Sequence, residues 1–98
     1  MIYVIATIQC KPDKHAPYLA GARTMIAATR KEDGCVFYDL TQSITSPNEF
    51  TFVERWATRE ALEAHMHTPH MAAWRDIGKD CVAGRDIEII HAGKVEKI

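Results

Sequence analysis

The segment Ile2-Tyr-Val-Ile-Ala-Thr-Ile-Gln9 is strand-forming throughout and apolar on both of its faces. β-Branched and aromatic residues fill it without a turn former. Because a strand alternates its side chains, Ile2, Val4, Ala6 and Ile8 share one face while Tyr3 and Ile5 share the other. A strand of this kind needs cover on both sides of its sheet. A chain of 98 residues meets that demand with difficulty, because a domain so small buries only about two-thirds of the surface its unfolded chain exposes.

Lys11-Pro12-Asp13 breaks the strand and suits a helix start, Pro being welcome at the first helical position and an acid complementing the positive helix end. The helix is predicted to run to about Lys31, with Pro17 in its first turn. Leu19, Ala22, Ile26 and Thr29 recur on one stripe, with Tyr18 and Met25 at its edge. Asp33-Gly34 supplies the stop, since Gly tolerates the left-handed conformation that ends many helices. Residues 35–43 and 49–57 are strand-like, and Thr45-Ser46-Pro47-Asn48 between them is turn chemistry, which predicts an antiparallel hairpin. Thr58 is a good N-cap for a short helix carrying Ala61, Leu62 and His65, interrupted by Pro69. A second helical piece follows from about His70 to Asp80, with Met71, Trp74, Ile77 and Cys81 on one face. Ala83-Gly84 reads as punctuation, and Asp86 to Glu96 returns to strand composition with Ile87, Ile89 and Ile90.

The order β-α-β-β-α-β is the split βαβ arrangement, an α+β fold of ferredoxin-like topology with a four-stranded antiparallel sheet and both helical segments on one face. No internal repeat or linker divides residues 1–98, so a single domain is expected. The other face of the sheet still requires cover. The economical solution is a second copy of the chain, two sheets facing each other across a two-fold axis and burying roughly 800 Å² per subunit or more.

Composition removes several classes of function. Lys and Arg number 12 against 13 Asp and Glu, interspersed and without a basic tract, which argues against a nucleic-acid footprint. The apolar run from Met1 to Ile8 has no basic leader or cleavage site and is too short to cross a bilayer, so a cytoplasmic protein is expected. Cys10, Cys35 and Cys81 are odd in number and far apart, with no Cys-x-x-Cys pair; they are expected to be reduced and to act as small buried hydrophobes.

Two side chains stand out as chemical candidates. Glu54 lies on one strand face with Phe50, Phe52 and Trp56, so that a carboxylate sits in an aromatic row where desolvation would raise its pKa and suit it to acid–base work. The bland alternative pairs it with Arg23, Arg30, Arg75 or Arg85. His65, three residues after Leu62 on the same helix face, should look toward the core, where it serves either as an acid or base near neutral pH or as a histidine satisfied by a backbone carbonyl. His65, His67 and His70 invite a metal reading, but His65 and His67 point to opposite sides of a helix and no carboxylate or cysteine completes a familiar ligand spacing, so no metal site is expected. Trp56, Tyr38, Phe52, Met66, Trp74 and His70 are the candidates for contacts to a ring-shaped substrate. No Gly-rich phosphate loop, Ser-His-Asp order or cofactor fingerprint occurs.

Glu54-Arg-Trp-Ala-Thr-Arg-Glu-Ala-Leu-Glu-Ala-His65, followed by Thr68-Pro69-His70, resembles the antibiotic biosynthesis monooxygenase superfamily of dimeric α+β barrels. The resemblance extends to Glu32-Asp33-Gly34-Cys35-x-x-Tyr38 and to Lys11-Pro12. It implies a homodimer of facing sheets, often with the last strand reaching to the partner, and an activity among quinol monooxygenases that need no cofactor, heme-degrading enzymes and an autoinducer-processing isomerase. Heme-degrading members place an Asn in the first strand, a Trp in the third and a His on the second helix; Trp56 matches the second, but Thr7 stands at the Asn position and His70 does not fill the third. The expectation is therefore a monooxygenase acting with O₂ on a small phenolic or quinol compound, with His65 as base, Glu54 orienting it or a water, and no cofactor. The alternatives are an isomerase or lyase acting on a small carbonyl compound, and a ligand-binding dimer without catalysis.

Overall fold

The computed structural model covers residues 1–98 and contains β1 (Ile2–Cys10), α1 (His15–Thr29), β2 (Cys35–Gln42), β3 (Glu49–Trp56), α2 (Arg59–Met66), α3 (Pro69–Cys81) and β4 (Val82–His91). The strands form one antiparallel sheet in the order β2-β3-β1-β4. This is the expected ferredoxin-like architecture, with the second helical segment split in two. The split has a local cause: Thr58 and Thr68 each accept a backbone N–H at a helix start, from Ala61 at 3.1 Å and Met71 at 3.3 Å, and Pro69 opens α3 where its missing N–H costs nothing.

The core lies between the helices and one sheet face. Ile2, Val4, Ala6 and Ile8 of β1 alternate inward with Phe50, Phe52, Glu54 and Trp56 of β3, all buried as strand parity requires. The α1 stripe is rotated from expectation: Tyr18, Ala22, Met25 and Thr29 are buried, while Leu19 and Ile26 are only partly covered. The large Tyr18 ring decides this by packing on Phe50 and Trp74, at centroid distances of 5.7 and 4.8 Å.

Three boundaries differ from the sequence reading. Lys11–Asp13 form a turn and α1 starts at His15, with Pro17 still within the first turn, because the peptide after β1 is tied by Lys11 N–H to Cys81 O at 2.8 Å. The same helix ends at Thr29, and Gly34 (φ +82°) closes the turn into β2; a Cβ there would meet the Ala61 side chain, so Gly is required on two counts. Finally, Ala83-Gly84 does not interrupt the chain. α3 passes directly into β4, which pairs with β1 from Val82 through a bulge at Gln9/Cys10 and ends at His91, five residues before the expected end. Ladder pairing outweighs the weak strand preference of Gly84.

The opposite sheet face has no helical layer over it, and only the C-terminal residues Ala92, Gly93, Val95 and Lys97 border its Tyr3–Arg55 end. Register places Ile90, Tyr3, Arg55 and Phe37 in one row across it and Glu88, Ile5, Val53 and Asp39 in the next. Ile5, Phe37 and Ile90 are each more than a third exposed. The molecule is a slab 39 × 32 × 18 Å, one sheet and one helical layer thick.

Candidate active site

Between the helices and the sheet lies a cavity of about 250 Å³, lined by 18 residues of which 13 are hydrophobic. β1 supplies Val4, Ala6 and Ile8, α1 supplies Tyr18, and Met66, Met71 and Trp74 close the helical side. The cavity opens along β4, where Ile87 and Ile89 line it and remain 54% and 37% exposed. Engineered apolar cavities of about 150 Å³ hold benzene, so this one admits a compound of one or two rings.

The polar groups in the lining are few: Glu54, His65, the hydroxyls of Tyr18 and Tyr38, and the guanidiniums of Arg75 and Arg85. β3 places Glu54 inward beside Trp56, whose Nε1–H donates to Glu54 Oε1 at 2.9 Å. Burial pushes the Glu54 carboxyl up to about 7, against the Trp56 hydrogen bond that lowers it and with a smaller push from the Glu32 charge. None of the arginines suggested as its partner pairs with it: Arg30 bonds Asp39 and the Tyr38 carbonyl, and Arg75 donates to Met66 O at 3.0 Å.

α2 turns His65 into the same space. Its ring lies between aromatic neighbours, 4.7 Å from Trp56 and 5.3 Å from Tyr38 centroid to centroid, and is 2% exposed. Burial lowers its pKa below the usual histidine value, although Glu32 opposes that shift. The hydroxyls of Tyr38 and Tyr18 are raised far above their ordinary value, first by burial and then, for Tyr38, by Glu54 and Glu32. At neutral pH the cavity therefore holds a neutral imidazole, two neutral phenols and a carboxyl close to half-ionisation.

The structure brings His65, Glu54, Tyr38, Phe52, Met66 and Trp74 onto the cavity wall and leaves out two sequence candidates. Trp56 is fully buried behind His65, where it holds Glu54 and the imidazole in place. His70 faces away from the cavity, with Nε2 2.7 Å from Glu32 Oε2. Thr7 lies on the uncovered sheet face, at the parity opposite the cavity. Glu32, Tyr18, Arg75 and Arg85 were missed as site residues. Glu32 stands in the turn between α1 and β2, 33 residues from His65, and its Oε2 is 2.8 Å from His65 Nδ1. Only its place in the Glu32-Asp33-Gly34-Cys35 motif could have signalled it. Glu32, His65 and His70 are also the one group of three potential metal ligands whose donor atoms lie within 4.8 Å of one another, and the spacing on the shared oxygen is that of two hydrogen bonds.

The sequence profile of the antibiotic biosynthesis monooxygenase family matches residues 1–77. The chain belongs to this family. Among relatives, the "Probable quinol monooxygenase YgiN" of Escherichia coli is 30% identical over 103 residues, spanning 95% of this chain and 99% of that protein. An uncharacterised protein of Synechocystis, sll1783, is 35% identical over 82 residues; the match takes in 84% of this chain but 56% of that protein's length. The structure of Rv0793 from Mycobacterium tuberculosis superposes with a TM-score of 0.89 at 29% identity, over 98% of both chains. A structure from Deinococcus radiodurans gives a TM-score of 0.93 at 25% identity, over 100% of this chain and 98% of that one. No helix is long and apolar enough to cross a membrane, and the three cysteines are free.

Proposed function

We propose that this family member is a homodimeric, cytoplasmic monooxygenase that needs no cofactor and oxidises a small phenolic or quinol-type compound with O₂ in the cavity. The observation that carries the reading is a buried imidazole, His65, set into the wall of an apolar hollow of ring size that the buried Glu54 carboxyl also lines. His65 takes the proton of the ring hydroxyl. The resulting anion gives one electron to O₂, and the two radicals combine at an open para carbon of the ring. The proton of that carbon then passes to the outer peroxide oxygen as the O–O bond breaks, so that one oxygen atom of O₂ stays in the quinone and the other leaves as water carrying this proton and a second one. Glu54 in its protonated form supplies a proton to the departing oxygen and regains one from His65. Arg75 and Arg85 stand at the wall without carboxylate partners and favour the anion. Burial strengthens the interactions of His65 and Glu54, whereas Arg75 and Arg85 act from the exposed rim of the cavity.

Oxygen uptake with a panel of phenols and quinols in chelator-treated buffer tests the reading, with uptake expected for at least one compound of one or two rings. Turnover of small carbonyl compounds without oxygen would replace it with an isomerase or lyase. Tight binding without turnover would replace it with a binding protein.

The uncovered sheet face supports the homodimer. An accessible surface of 6176 Å² compares with about 5,700 Å² for a compact monomer of this mass. The face also carries Arg55 with aromatic residues toward one end and Glu88 and Asp86 toward the other, so a two-fold axis would bring opposite charges together. Sedimentation at micromolar concentration is expected to report about twice the 11.1 kDa chain mass. A folded 11.1 kDa species would remove the dimer. Free thiols fit a reducing compartment.

A further inference from the structure

We propose that Glu32 is a positioning residue that locks His65 in the tautomer with its proton on Nδ1, so that Nε2 meets the substrate as a proton acceptor, and that His70 anchors Glu32 for this task. The role in turnover rests on the monooxygenase reading above, whereas the tautomer does not.

Three separate elements converge here: the α1–β2 turn through Glu32, α2 through His65 and α3 through His70. Both imidazole nitrogens approach the same oxygen, Glu32 Oε2, at 2.8 and 2.7 Å. An ionised carboxylate only accepts hydrogen bonds, so each nitrogen facing it carries a proton. In a neutral His65 that proton occupies Nδ1, which leaves Nε2 with a free lone pair. No protein group bonds Nε2, and the ring lines the cavity. The Trp56 and Tyr38 rings restrict its rotation. The backbone is held as well, since Thr68 Oγ1 donates to His65 O at 2.8 Å.

The arrangement also prepares for charge. When His65 Nε2 accepts the substrate's proton, the imidazolium forms against a carboxylate already in contact, and no group has to move in from solvent. Side-chain exposure is 3% for His65, 14% for Glu32 and 22% for His70, so the pair is shielded on the cavity side and His70 closes it toward solvent. The other charged or titratable groups facing His65 are Arg75 from α3, which disfavours the imidazolium, Tyr38 from β2 and Glu54 from β3.

Nitrogen-15 NMR of the imidazoles in the intact protein is the test, with Glu32→Gln and His70→Ala as variants. We expect His65 as the Nδ1–H tautomer in the wild type, and in Glu32→Gln a His65 pKa lower by about one unit or more through loss of the opposite charge. With a turned-over substrate, Glu32→Gln should lower kcat by about 10²-fold with KM within a factor of a few, and move the acid limb of the activity profile to lower pH along with the His65 pKa. His70→Ala should lower kcat in the same way by less, by loosening Glu32, and raise the His65 pKa slightly, because His70 itself lowers it. A wild-type His65 protonated on Nε2, or a His65 titration unchanged in folded Glu32→Gln, overturns the proposal whether or not any quinol is oxidised. One equivalent of Zn²⁺ retained by the wild type and lost in Glu32→Gln also overturns it, by making the trio a metal site. Absence of oxygen uptake alongside the expected tautomer and titration overturns only the reaction.

Discussion

Replacing His65 with Ala is expected to lower kcat/KM for a turned-over phenol or quinol by about 10²–10⁴-fold, the usual contribution of a positioned general base. The wild-type rate should fall as pH drops through the His65 pKa, because an imidazolium cannot accept the substrate's proton. That pKa lies below the usual histidine value, so the wild type should remain active into mildly acidic solution. Substrates that are already ionised at the assay pH should recover much of the loss in His65→Ala, since they need no base. The comparison of an ionised with a neutral substrate guards against misreading a folding defect: removing a 2%-exposed ring that packs on Trp56 and Tyr38 also costs stability, but this would depress both substrates alike. Equal losses for the two substrates in a folded variant would remove His65 from the base role.

A large effect is also expected at Glu54, on stability. Its carboxyl is raised from 4.5 to about 7, chiefly by burial, which at about 1.4 kcal/mol per pH unit amounts to about 3 kcal/mol. Below pH 4.5 the group is protonated in both the folded and the unfolded chain and favours neither. As pH rises from there to about 7, the unfolded chain ionises while the folded one resists, so stability falls, and it levels off once the folded carboxyl has ionised too. Glu54→Gln keeps an oxygen for the Trp56 N–H and abolishes the titration. The variant should match the wild type near pH 4.5 and exceed it by about 3 kcal/mol at pH 8, corresponding to roughly 10–20 °C in Tm for a domain of this size. Denaturant melts of both proteins across that range decide the matter, and parallel stability curves would show that Glu54 titrates normally.

The two predictions meet at one physical point. The cavity that makes a neutral imidazole useful also makes a buried carboxylate costly. Stability given up at Glu54 and reactivity gained at His65 arise from the same exclusion of water, as functional sites commonly show. Trp56 links them, donating to one and stacking on the other.

Much of the fold was legible because it depends on neighbours in the chain. Strand parity alone placed Phe50, Phe52, Glu54 and Trp56 on one inward face, Thr58 marked the start of α2, and Pro69 marked the break between the two helical pieces, although as the first residue of α3 and not as an interruption of α2. Errors arose where a distant partner outweighed local preference: pairing with β1 carried Val82–Gly84 into the last strand, and the Tyr18 ring turned α1 toward Trp74. The site divides in the same way. That His65 and Glu54 look inward follows from periodicities of 3.6 and 2, which are properties of short stretches of chain. That Glu32 reaches His65 and His70, that Trp56 stands behind the imidazole and not beside the substrate, and that Arg75 and Arg85 reach the cavity wall are meetings of residues tens of positions apart. Local sequence determined which faces are apolar and which side chains turn inward. Only the packing of helices on the sheet decided which inward groups touch, because a hydrogen bond at 2.8 Å depends on coordinates that no spacing along the chain specifies.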